Sequence, residues 1–76
     1  MKVLADVRIG EWGWIVGYVE EAPLQFKRRL LELGLTPGKK VKVERKSLLG
    51  KTVLVQIRGY MLSLRKDLLS FIVVRG

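Results

Sequence analysis

Two spacings of apolar residues divide the chain. Phe26, Leu30 and Leu33 fall at i, i+4 and i+7, one stripe of an α-helix that runs to about Leu33. Beyond residue 39 the interval becomes two. Val41 and Val43 alternate with Lys40, Lys42 and Glu44, and Val53, Val55 and Ile57 alternate with Leu54, Gln56 and Arg58. Each valine set therefore faces inward on a strand, and Leu54 faces outward. Residues 14–19, rich in β-branched and aromatic side chains, predict another strand, as do residues 3–7, 61–64 and 71–75. In 61–64, Leu62 and Leu64 point inward. Residues 65–69 predict a single helical turn, and residues 46–51 a hairpin with a longer loop.

Punctuation separates these elements. Gly34 stands where a helix would end in a left-handed residue, because glycine has no Cβ to clash at positive φ. Leu35 can then fold back on Leu30 or Leu31. In Thr36-Pro37-Gly38-Lys39, Pro37 suits the second and Gly38 the third position of a type II turn. Gly59 breaks the ladder between two strands. Pro23 suits a first helical position, with Glu20 and Glu21 near the positive end of the helix dipole. Gly10, Gly13 and Gly17 predict a bent strand or a close backbone approach. These elements predict a mainly β domain with one inserted helix, a small, partly open barrel of SH3-like type with about five strands.

A chain of 76 residues makes a single domain, 1–76, with a modest core, and its 49% apolar content is that of a globular protein. No apolar run is long enough to span a membrane, and residues 1–6 lack the apolar core of a signal segment, so the expected location is the cytoplasm. Fifteen Lys and Arg against seven Asp and Glu give a net charge of +8. That charge serves either solubility alone or attraction to an anionic partner: nucleic acid, an anionic lipid surface or an acidic protein.

The same composition removes most chemistry. Histidine and cysteine are both absent, which takes away the usual general base, the thiol nucleophile and the common transition-metal ligands. The carboxylates are scattered, and Leu48-Leu49-Gly50-Lys51-Thr52 has only the last part of a phosphate-binding loop. No catalytic residue, metal site or cofactor is expected, and the chain does not read as an enzyme.

Three features could bind a partner. Leu48 and Leu49 occupy a hairpin tip between Lys46 and Lys51, and Leu54 faces outward nearby. They form either an exposed apolar patch suited to a protein partner or self-association, or a lid over an open barrel end. Trp12 and Trp14 share a strand face if Gly13 does not bulge; they serve as binding anchors or cap the core. Lys40 and Lys42 lie on an outer face with Lys39, Arg45 and Lys46 near by. Aromatics interleaved with cations would indicate single-stranded nucleic acid, but the tryptophans lie elsewhere in the sequence, so nucleic acid is disfavoured and a solvated basic face is the default.

Residues 29–38, Arg-Leu-Leu-Glu-Leu-Gly-Leu-Thr-Pro-Gly, resemble the signature of the ferrous iron transport protein A (FeoA) family. Residues 57–67, Ile-Arg-Gly-Tyr-Met-Leu-Ser-Leu-Arg-Lys-Asp, and 71–74 resemble its second half, and Leu4-Ala5-Asp6, Gly10 and Ile15 fit as well. One departure is the tip, which in the family often carries a proline and here reads Ser47-Leu48-Leu49-Gly50. The resemblance implies an SH3-like fold in a prokaryotic cytoplasm and an accessory role in ferrous iron uptake. That role runs through the cytoplasmic part of the membrane GTPase ferrous iron transport protein B, with no catalysis by this chain. At family level it also carries transition metal ion binding, against which the missing histidine and cysteine argue here. The fold also occurs as the C-terminal domain of metal-dependent repressors, so a free-standing regulatory domain is a second reading and a basic nucleic-acid-binding barrel a third.

Overall fold

The computed structural model describes residues 1–76. Its strands are β1 (Lys2–Val3), β2 (Trp12–Tyr18), β3 (Lys40–Lys46), β4 (Thr52–Ile57), β5 (Tyr60–Arg65) and β6 (Ile72–Arg75). Helix α1 (Leu24–Glu32) lies between β2 and β3, and the single turn α2 (Lys66–Leu69) between β5 and β6. All six strands join one antiparallel sheet in the order β1-β6-β2-β3-β4-β5, which leaves the barrel open between β1 and β5.

Alternation places the core as the sequence predicts. Val41, Val43, Val53, Val55 and Ile57 are buried and pack in one cluster with Ile15, Leu30, Leu35, Leu64 and Ile72. Leu62 is half-buried beside it, paired with Val55 across the β4–β5 ladder. No charged residue is buried, as expected where nothing would offset its lost hydration.

Three local readings shift. Residues 3–7 do not continue as a strand: after Val3 the chain turns through a 3-10 segment, Leu4–Asp6. The Asp6 carboxylate accepts the Val3 N–H at 3.0 Å and closes that turn, which carries both Leu4 and Val7 into the core. Strand β2 begins at Trp12, earlier than its β-branched content suggests. Its lead-in already pairs with β3, Gly10 donating to the Val43 carbonyl at 2.6 Å and Val43 to that of Glu11 at 3.1 Å. Pro23 caps α1 rather than opening it; its carbonyl accepts from Phe26 at 2.9 Å, and its missing N–H leaves no donor unpaired. A bulge between Ile15 and Gly17 bends β2 against β6.

The end of α1 sets the course of the chain into β3. Gly34 has φ +87°, its N–H donates to Leu31 at 3.0 Å, and the Leu35 N–H donates to Leu30 at 2.9 Å. This pair of bonds is a Schellman closure, with Leu30 and Leu35 meeting in the core. Two tyrosines from the sheet complete it. The Tyr60 hydroxyl donates to the Leu33 carbonyl at 2.8 Å, and the Tyr18 hydroxyl donates to that of Leu35. Burial pushes the Tyr18 phenol above its ordinary pKa of 10.0. Thr36–Lys39 then turns the chain, Lys39 donating to Thr36 at 3.2 Å with Gly38 at φ +91°, and Gly38 donates back to the Ile15 carbonyl at 2.8 Å. That bond ties the turn to the middle of β2 and sets where β3 starts.

Candidate functional site

Register across three strands builds one composite surface. Trp12 pairs with Lys42 and Trp14 with Lys40 on β3, while Arg75 of β6 pairs with Trp14 from the other side. Gly13 does not bulge. It pairs with Val41 and is buried, and a Cβ there would lie 3.3 Å from the Cβ of Val74. The two indoles therefore share the outer face, 40% and 38% exposed. They line its surface and do not cap the core.

Cations sit on the ring faces. The Lys40 ammonium lies 4.9 Å from the Trp12 ring centre and 5.5 Å from that of Trp14, so it stands between the two indoles. Lys42 approaches Trp12 at 5.8 Å, and the Arg75 guanidinium approaches Trp14 at 5.8 Å. Each such contact at an exposed site is worth about 0.5–1 kcal/mol, enough to favour one side-chain position over a freely waving one.

Beside them lies an open groove of about 680 Å³. Trp12 and Trp14 line it from β2, Pro37, Gly38, Lys39 and Lys40 from the turn into β3, and Gln56, Arg58 and Gly59 from the β4–β5 hairpin. No carboxylate lines it. The two ion pairs of the chain join Lys42 to Glu44 at 3.7 Å and Arg65 to Asp67 at 3.1 Å. Lys39, Lys40, Arg58 and Arg75 thus carry charges that no acidic side chain neutralises, and the groove can attract an anion.

The leucine tip is a separate place. Ser47-Leu48-Leu49-Gly50 forms a tight turn, Gly50 donating to the Ser47 carbonyl at 2.9 Å. The Ser47 hydroxyl accepts from the Lys51 and Thr52 N–H groups at 3.1 Å each. Leu48 is fully exposed and Leu49 is 81% exposed, so the tip is no lid over the barrel end. Strand β3 runs from Lys40 to Lys46 at the foot of the tip, roughly 20 Å at 3.3 Å per residue. Leu54 is half-buried, opposite Arg45 and Ser63, on the face that continues to Gln56. Trp12, Trp14, Lys40 and Lys42 are thus brought together, and Leu48 and Leu49 project apart from them.

Gln56, Arg58 and Arg75 also belong to the composite surface, and nothing in the sequence alone singles them out. Only the pairing of β3 with β4 and of β2 with β6 brings them there; no local pattern marks them. The turn residues lie at its border: Gly38 and Gly59 have φ +91° and +87°, and Pro37 precedes the first of them.

The family model described as FeoA domain matches residues 2–76. A FeoA-like protein from Clostridium acetobutylicum has a solved structure that superposes with a TM-score of 0.85 at 30% identity, over 99% of this chain and 87% of that one. FeoA from Stenotrophomonas maltophilia gives a TM-score of 0.83 at 23% identity, over 99% of this chain and 91% of that one. It was solved with zinc and is described as a prokaryotic SH3 domain protein, a candidate activating factor of ferrous iron transport. A manganese-dependent transcriptional repressor gives a TM-score of 0.83 at 19% identity, over 96% of this chain and 40% of the repressor, a likeness of fold alone. No curated relative matches the sequence. In this chain histidine and cysteine are absent and no three carboxylates converge.

Proposed function

The chain belongs to the FeoA domain family, and from that premise we propose that it is an accessory protein of ferrous iron uptake. In this reading it acts by binding the cytoplasmic part of the membrane GTPase ferrous iron transport protein B. The observation that carries the reading is the tip. Leu48 and Leu49 stand exposed on a turn held by Ser47, with Arg45, Lys46 and Lys51 around them. An apolar knob with a cationic rim is the anatomy of a protein contact. Leu54 extends it, and Trp12, Trp14, Lys40 and Lys42 supply a second contact area. No helix is long and apolar enough to cross a membrane; in this reading the chain meets the membrane system through its partner. The chain itself turns nothing over.

The test is a binding titration against the purified cytoplasmic domain of the transporter, with and without guanine nucleotide, at two salt concentrations. Saturable binding that survives moderate salt and is lost in the double variant Leu48→Asp, Leu49→Asp supports the reading. Absence of binding, or binding that disappears with salt, refutes it. The fold likeness to part of a repressor favours a free-standing regulatory domain as the second reading. Binding to the DNA-binding part of such a repressor, with no affinity for the transporter, would decide for it.

A further inference from the structure

We propose that the groove of Trp12, Trp14, Lys39, Lys40 and Arg58 is a docking site for an extended, acidic peptide segment of a protein partner. The inference rests on the reading that this chain works through such a partner, and it names the chemistry that the partner presents.

Charge is the first argument. Lys39, Lys40 and Arg58 line the groove with no carboxylate among its lining residues, and Arg75 adds a fourth unpaired cation beside Trp14. Lys40 is held between two indoles, so its ammonium is partly ordered before any ligand arrives. A carboxylate that approaches it keeps both cation–π contacts and adds a charge-assisted hydrogen bond.

Shape and ring access are the second. Single-stranded nucleic acid needs open aromatic faces on which bases stack, and here each indole ring already carries two side-chain cations within 6 Å of its centre. What the indoles leave free, with Pro37, suits an aliphatic side chain. Gly38 and Gly59 at the groove border have no side chain, and a Cβ built on either meets nothing within 4 Å. A peptide backbone can therefore come close, and the Gln56 amide offers it both a donor and an acceptor. In an extended segment residues i and i+2 point the same way, so Asp or Glu at those positions would face Lys40 and Arg58 together.

Trp12 and Trp14 are the only tryptophans of the chain, so tryptophan emission, excited beyond the tyrosine absorption band, reports on this groove. The intact protein is titrated with a peptide of alternating Glu and Leu, with the same peptide carrying Lys for Glu, and with oligothymidylate of matched charge. The expected result is a saturable emission change with the acidic peptide only. Lys40→Glu with Arg58→Glu should weaken it about tenfold or more, as removal of close charge pairs does, and Lys40→Gln with Arg58→Gln should act in the same direction should the reversal perturb folding. Arg28→Glu with Arg29→Glu, the same charge change on the exposed face of α1, should leave it within about twofold. No emission change, equal losses in both charge-reversed variants, or tighter binding of oligothymidylate would each overturn the inference. Peptide failure with intact binding to the transporter domain would remove the groove and leave the proposed function standing. Peptide binding without transporter binding would do the reverse.

Discussion

Replacing Gly34 by valine tests the closure of α1 at its most constrained point. Gly34 has φ +87°, and a Cβ built there lands on the hydroxyl oxygen of Tyr60. The left-handed backbone costs a residue with a Cβ about 1–2 kcal/mol, more when the side chain is β-branched. The displaced Tyr60 hydroxyl loses its bond to the Leu33 carbonyl, a further loss of about 0.5–1.5 kcal/mol. The sum, about 1.5–3.5 kcal/mol, is a large share of the roughly 4–11 kcal/mol expected of a domain of 76 residues. Thermal unfolding followed by circular dichroism should show a fall in Tm of roughly 6–28 °C. A cycle separates the two causes. Gly34→Ala in the native background meets the hydroxyl, whereas in a Tyr60→Phe background it meets only the ring carbon, 3.4 Å away. Alanine should then cost only the backbone part, about 1–2 kcal/mol. An unchanged Tm for Gly34→Val, or an alanine cost equal in both backgrounds, would refute this account of the helix end.

Burial raises the Tyr18 phenol above its ordinary 10.0, so the folded state favours its neutral form. That contribution is complete below pH 10 and is lost as pH rises through the folded-state value. Urea unfolding at about pH 9 and about pH 11 should therefore show a steeper loss of stability in the native chain than in Tyr18→Phe, and parallel losses would contradict the assignment. Ser47→Ala removes the acceptor of the Lys51 and Thr52 N–H groups and should lower stability by about 1 kcal/mol in the same assay. Leu48→Asp with Leu49→Asp should shift stability by about 0.5 kcal/mol at most, since both side chains are exposed; unfolding of the double variant would place the tip in the core.

The sequence makes legible what the chain does locally. The helix stop lies in consecutive residues, and the inward valines of β3 and β4 announce themselves by alternation. The Leu4–Asp6 turn escapes such a reading because the β-branched and apolar residues Val3, Leu4 and Val7 have the content of a strand. The Asp6 carboxylate taking the Val3 N–H is what decides otherwise. The groove lies out of reach for a different reason. Trp14 meets Lys40 and Arg75 only through two ladders whose register no short window contains. Arg58 joins them from the far end of the β4–β5 hairpin. Aromatics and cations that look separated along the chain become neighbours through strand pairing alone.

The two tyrosine hydroxyls that close α1 reach it from 17 and 27 residues away. A nine-residue helix has no persistence of its own in water, and the Leu33 and Leu35 carbonyls just past its end gain their tyrosine donors only once β2 and β5 are in place. Its amide protons should therefore exchange with solvent through opening of the whole barrel rather than by fraying from the C-terminal end. The helix and the sheet then respond to a docked ligand as one body. Anything that pulls on the β4–β5 hairpin, where Arg58 borders the groove and Tyr60 anchors the helix, is transmitted to Leu33 without a hinge between them.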